Sequence, residues 1–201
     1  MLDVAHIRRI ESGDGDLLRR IRLAALHDAP FAYASLHADE AKRTHTQWSE
    51  LAEARASGFD QTTFLALVSG EVVGIIGGFK PDSDLTVELV SMWTAPGSRR
   101  SGVGAELVQA LMSWAKDGGA RSVELWVTEG NAPALRLYQS LGFAPTGSVR
   151  SSSTRLLRAH SADGVPDHIA ARPRAQGCRT DPASNCDSVV AVGSWIFAAG
   201  L

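Results

Sequence analysis

The chain has 201 residues, 44% of them hydrophobic and 21% charged, with a formal net charge of -2 and a pI of about 6.3. These values fit one globular domain with some surplus length and exclude wholesale disorder. No long basic block is present, so nothing in the charge calls for nucleic acid. The longest apolar run, Val189 to Leu201, has 13 residues, too few for a helix across a bilayer. The opening Met1-Leu2-Asp3-Val4 lacks the pattern of a signal peptide. A cytoplasmic protein without a membrane partner is the expectation.

Taken in chain order, Val4 to Ile10 reads as a strand, and Gly13 and Gly15 mark a turn. Asp16 is placed to cap a helix from Leu17 to about His27, with Leu17, Ile21, Ala24 and Ala25 on one face, ended by Ala29-Pro30. A second helical region is expected over residues 35 to 56, with Thr46 as its cap and Trp48, Leu51, Ala52 and Arg55 on one face. Thr62–Val68 and Val72–Phe79 form a hairpin about Ser69-Gly70-Glu71. A long strand follows from Leu85 to Thr94, broken by Pro96-Gly97. Val103, Leu107, Leu111 and Ala115 recur at helical spacing between Gly102 and Lys116. Val123, Leu125 and Val127 alternate as a strand, Asn131-Ala132-Pro133 opens a short helix, and Phe143 begins another strand. The order β-α-α-β-β-β-α-β-α-β predicts an α/β fold: a mixed central sheet with helices on both faces.

The segment Pro96 to Gly104, P-G-S-R-R-S-G-V-G, joins a strand to a helix. Glycines at 102 and 104 let backbone approach a ligand, and the helix that follows aims its free N–H groups and positive dipole end at the same place. That is an anion site suited to a pyrophosphate, to which Arg99 and Arg100 either add charge or stand as solvated neighbours. A P-loop requires Gly-Lys followed by Ser or Thr, whereas Val103 follows Gly102. A dinucleotide fingerprint requires a third glycine, where Glu106-Leu107 stands. A glycine-rich turn without any ligand is the remaining alternative.

The sequence downstream adds to this pattern. Arg99-x-x-Gly102-x-Gly104 is followed by Asn131, Ala134, Leu137-Tyr138 and Leu141-Gly142-Phe143. This combination resembles the GCN5-related N-acetyltransferase (GNAT) family, over roughly residues 4 to 147. Arg100 departs from the resemblance, since many members carry glycine there. The resemblance implies acetyl-CoA as cosubstrate, no metal, and an acetyl group moved to a primary amine on a small molecule or a protein. It implies backbone contacts from Met92, Trp93 and Thr94 to the pantetheine arm, in a cleft where two strands splay. It implies a pyrophosphate held by Arg99, Arg100, Ser101, Gly102, Val103 and Gly104, and a cofactor contact from Asn131. Tyr138 would be the general acid that protonates the leaving thiolate.

Each assignment has a structural alternative: Asn131 as a helix cap, Tyr138 as a packing residue, and Trp93 and Trp126 as core. Glu88, on the long strand beside the expected cleft, is the candidate base for the amine or else an outward-facing carboxylate. The matched region has no cysteine to carry the acetyl group, so direct transfer in a ternary complex follows. Residues 26 to 48, with Pro30-Phe31-Ala32-Tyr33, would form the acceptor side, with Asp82 and Asp84 nearby.

Residues 1–147 are read as the acetyltransferase-like domain. Residues 148–201 are read as an atypical tail, partly disordered, with a possible terminal strand at Val189–Leu201. Cys178 and Cys186, in that tail, are expected as free thiols. No metal-ligand spacing is present, and the chain is expected as a monomer or homodimer. The rival function is a non-catalytic acyl-CoA-binding or regulatory module.

Overall fold

The computed structural model describes residues 4–29, 37–81, 85–128, 130–151 and 154–160. The expected C-terminal strand, both cysteines, Pro30 to Tyr33, and Asp82 and Asp84 lie outside these residues.

Among the described residues, seven strands form one sheet in the order β1-β2-β3-β4-β5-β7-β6. They are β1 His6–Arg9, β2 Gln61–Val68, β3 Glu71–Phe79, β4 Thr86–Thr94, β5 Ser122–Thr128, β6 Ala144–Ser151 and β7 Thr154–His160. Among these strands β4 and β5 pair in parallel and every other neighbouring pair is antiparallel. The fold class is therefore as expected, with one strand more than the sequence reading supplied. The sheet continues past residue 147, through β6 and then β7, and β7 inserts between β5 and β6. Thr154-Arg155-Leu156-Leu157-Arg158-Ala159-His160 lacks clean alternation and follows a serine-rich stretch, which hides it as a strand.

Two cores flank the sheet because alternate strand residues point to opposite faces. On one face, Ala66, Ile76, Val87, Leu89, Met92, Val123, Leu125 and Val127 meet helices α4 (Val103–Asp117) and α5 (Ala132–Ser140). On the other, Leu65, Ile75 and Trp93 meet α1 (Gly15–Asp28) and α3 (His45–Ala56). The buried stripe of α1 is Leu18, Ile21, Ala25 and Leu26; Leu17 and Ala24 of the expected face are half-buried and exposed.

The first two helices differ from the sequence reading at their starts. The residue at the N-terminal boundary of α1 is Asp14, not Asp16, and its carboxylate is occupied elsewhere. It accepts from Arg8 Nη1 and Nη2 at 2.6 and 3.0 Å and from Glu11 N at 2.8 Å. The region after residue 36 is not one helix. A single turn, α2 (His37–Glu40), precedes α3, whose N-cap is Thr44 rather than Thr46. Thr44 Oγ1 accepts from Gln47 N while Gln47 Oε1 accepts from Thr44 N, a reciprocal capping pair that Thr46 has no such partner to make.

Strand β3 sets where α4 lies. A Cβ built on Gly78 would sit 2.5 Å from Leu111 Cδ1, and one on Gly74 would sit 2.9 Å from Leu107 Cδ1 and 3.3 Å from Val103 Cγ1. The missing side chains let α4 lie directly on the strand. Its first turn is thereby carried to Gly74, whose strand partner is Thr94 at the end of β4.

Candidate active site

Strand β4 carries a bulge. Ile75 and Gly77 on β3 pair with Trp93 and Val90, so Ile76 alone opposes both Ser91 and Met92, and Ser91 takes φ 55. Up to that point Val87 and Leu89 face α4, which directs Glu88 to the α1 and α3 face. The β4–β5 ladder has three rungs, Thr86↔Ser122, Val87↔Val123 and Glu88↔Glu124, and then stops. Both strands run on, β4 to Thr94 and β5 to Thr128. They therefore part beyond Glu88, leaving an opening whose one wall is the β4 edge from Leu89 to Thr94. Met92, Trp93 and Thr94 are 2%, 4% and 1% exposed, so what that edge offers is backbone. Thr94 Oγ1 is buried without a hydrogen-bond partner among the described residues.

The loop at the end of β4 opens with a 3-10 turn, Pro96–Ser98, and then takes left-handed angles at Arg100 (φ 63) and Gly102 (φ 96). Such reversals turn successive amides toward one concavity. Gly102 is the N-cap of α4 and no side chain caps that end. The first intrahelical bonds are Ala105 N to Gly102 O (2.9 Å) and Glu106 N to Gly102 O (3.1 Å), so the Val103 and Gly104 amides precede the ladder. A Cβ on Gly102 would meet only Glu106 Oε1, at 3.9 Å, so the space beside it is open. The left-handed angle at Arg100 explains why glycine is common at this place in proteins of the resembled pattern.

Arg99 takes a different part from its neighbours. Its amide donates to Pro96 O at 3.4 Å, its Nε donates to Thr94 O at 3.2 Å, and its Nη2 pairs with Asp28 Oδ2. The same Asp28 oxygen accepts from Trp93 Nε1 at 2.8 Å. Asp28 at the end of α1 thus ties β4 and the loop together, through Trp93 Nε1 and Arg99 Nη2. Asp28 carried no motif that marked it in the sequence.

On the far side of the opening, Asn131 caps α5 through Ala134 N to Oδ1 at 3.2 Å, and Pro133 occupies the first turn. The cap reading is therefore realised. Tyr138 is 2% exposed, its ring edge-on to Phe143 at 5.6 Å. It sits in the α4 and α5 core, across the sheet from Glu88. Trp93 is core, as the packing alternative had it, and Trp126 is half-buried on the same face as Glu124.

A charged cluster, not foreseen in the sequence, occupies the Glu88 face. Arg22 of α1 is 5% exposed and donates to Ser91 Oγ at 3.3 Å, and Glu40 of α2 is 2% exposed and accepts from Arg43 Nε at 2.7 Å. Burial first, and then nearby Arg22, push the Arg55 guanidinium down to about 10, still charged at neutral pH. A small cavity lies among Arg22, Glu40, Trp48, Arg55 and Ser91. The signal for Arg22 was a charged residue inside the apolar stripe of α1. Ser91 had none, because a bulge depends on the pairing of its strand. Among the described residues, no group of three His, Cys, Asp or Glu is placed to hold a metal, and no helix is long and apolar enough to cross a membrane.

Comparison with known proteins agrees with this architecture. Among solved structures, the chain resembles a GNAT-family acetyltransferase from Streptococcus pneumoniae at TM-score 0.65 and 22% identity, covering 79% of this chain and 100% of that one. It resembles the PaiA N-acetyltransferase of Thermoplasma acidophilum in complex with coenzyme A at 0.64 and 16%, covering 79% and 99%. It resembles YncA of Salmonella typhimurium, a putative acetyltransferase with its cofactor acetyl-CoA, at 0.62 and 21%, covering 83% and 99%. Among curated proteins no relative matches. The family model described as "Acetyltransferase (GNAT) family" matches residues 22–143, more than half of the sequence. The chain belongs to the GNAT acetyltransferase family.

Proposed function

We propose that this chain transfers the acetyl group of acetyl-CoA directly to a primary amine in a ternary complex. The observation that carries the reading is the parting of β4 and β5 beyond Glu88, with the uncapped first turn of α4 at the far end of β4. An opening in the sheet suits an extended pantetheine arm, and free amides at a positive helix end suit the pyrophosphate that terminates it. The residues fit the cosubstrate. Arg100 to Gly104 supply the amides, and Met92 to Thr94 supply a strand edge. Arg99 acts by fixing the loop rather than through its charge.

In this reading Glu88 accepts a proton from the incoming ammonium, and the neutral amine attacks the thioester carbon. The C–N bond forms and the C–S bond breaks. Tyr138 gives its phenolic proton to the departing sulfur, the newly bonded nitrogen loses its second proton to solvent as the amide forms, Tyr138 regains a proton from solvent, and Glu88 returns its own to solvent. The products are an amide, free coenzyme A and one proton. Glu88 and Tyr138 lie on opposite faces of the sheet, so in this reading the two proton transfers are served from the two sides of the opening. An amine near pKa 10.4 needs such a base at neutral pH.

Calorimetric titration tests the first half: acetyl-CoA should bind, and NAD and ATP should not. A thiol-release assay across an amine panel tests the second. Binding of acetyl-CoA with no amine turning over would leave a binding module in place of an enzyme.

A further inference from the structure

Glu88, Glu124 and Arg158 occupy one rung across β4, β5 and β7: Glu88 pairs with Glu124, and Glu124 with Arg158. All three alternate with buried core residues, Glu88 with Val87 and Leu89, Glu124 with Val123 and Leu125, and Arg158 with Leu157 and Ala159. Their side chains therefore share the face turned away from α4. Arg158 Nε donates to Glu124 Oε1 at 2.5 Å, and Nη2 pairs with the same oxygen. This rung is also the last before β4 and β5 part. Two carboxylates thus stand side by side at the root of the cleft, on strands about 4.8 Å apart. Neighbouring carboxylates oppose each other's ionisation, and a cation bound to one relieves the other.

We propose that Arg158 is a positioning residue for acetyl transfer: by holding Glu124 as an ion pair it keeps Glu88 ionised as proton acceptor. The proposal rests on the reading of Glu88 as the base. On β3 the rung neighbour of Glu88 is Phe79, which carries no charge. Charged groups from the helices over this face include Arg22, Glu40, Arg43 and Arg55, gathered toward Ser91, three residues further along β4, and Asp28, bonded to Trp93. Asp82 and Asp84 lie outside the described residues. All of these are unchanged in the variants below, so their influence is common to every measurement.

The test is a carbon-13 titration of the full chain with side-chain-carboxyl-labelled glutamate, the Glu88 signal assigned by its loss in Glu88→Gln. Arg158→Gln should raise the Glu88 midpoint by roughly half to one pH unit, the scale of one unscreened neighbouring charge at a half-exposed site. Arg158→Lys, which keeps the charge, should leave it near the native value. Arg158→Gln with Glu124→Gln should return it there. A native midpoint in folded Arg158→Gln, or the same rise in Arg158→Lys, overturns the proposal. Acetyl transfer to a verified amine supplies a separate readout: the acid limb of kcat/KM should move up with the midpoint in Arg158→Gln and disappear in Glu88→Gln. A limb that persists in Glu88→Gln overturns the base assignment itself, while the titration still reports whether Arg158 acts on Glu88.

Discussion

At the scale of single residues, the site separates side chains that act from backbone that receives. Tyr138→Phe keeps the ring against Phe143 and removes only the proton donor. Turnover should fall toward the low end of about 10²- to 10⁴-fold, because a thiolate is already a fair leaving group. Acetyl-CoA affinity should hold, and calorimetry beside steady-state kinetics decides between that and simple packing. Gly102→Val acts on the other term. At φ 96 a β-branched residue costs about 1–2 kcal/mol of stability and fills the open space beside the first α4 amides. Acetyl-CoA affinity should drop by an order of magnitude or more in a variant that still melts cooperatively; native affinity would remove Gly102 from the cradle. Asp14 is distant from this chemistry but sets the acid stability of the α1 start. Its hydrogen bonds from Arg8 hold its carboxyl below the usual aspartate range. A depressed folded value means that the stabilisation is present above the unfolded value near 3.9 and is lost as pH falls through the lower folded one. The melting temperature of Asp14→Asn should therefore lie below that of the native chain at pH 7, with the gap closing below about pH 4.

At the scale of elements, the close seat of α4 on β3 connects packing to chemistry. Gly78→Ala puts a methyl group 2.5 Å from the buried Leu111 Cδ1, so either Leu111 leaves its rotamer or α4 lifts. A cost of about 1–3 kcal/mol is expected, a fall of several degrees in melting temperature. A weaker grip on acetyl-CoA should accompany it, because the same helix carries the amides. Gly97→Ala, which meets nothing within 4 Å, is the control. The sequence made the helix and strand interiors of this region plain. The stripe Val103, Leu107, Leu111 and Ala115 is buried throughout, and the motif from Arg99 to Gly104 lies at the end of β4. It misplaced the starts of α1 and α3, because acids and hydroxyls stood at neighbouring positions and only the partners in space chose among them. The charge of Arg99 was legible, but its ion pair with Asp28, far away in the chain, was not. The bulge at Ser91 and the rung of Glu124 and Arg158 were invisible for the same reason, since register exists only once strands have paired.

At the scale of the molecule, the two halves of the sheet differ in how they are joined. β2, β3 and β4 pair along most of their lengths, whereas β4 and β5 share three rungs. The second half is held instead by β7, which pairs with β5 from Ser122↔His160 to Thr128↔Thr154 and then carries β6. Deleting Thr154–His160 should therefore do far more than shorten an edge. It strips β5 of its main partner and leaves β6 with no neighbour in the sheet, so loss of cooperative melting is the expected result, seen by circular dichroism. The order of strands also gives the growing chain a timetable. β5 is complete at Thr128, but the strand that covers its outer edge ends at His160. At about 5–20 residues per second the ribosome takes roughly 2–6 s to cross that stretch. Throughout it, Val123, Leu125 and Val127 belong to a strand with an open edge and a three-rung hold on the sheet. Such an edge pairs readily with other chains. The half of the sheet beyond the opening is thus also the half completed last, and until His160 emerges β5 keeps an unpaired outer edge.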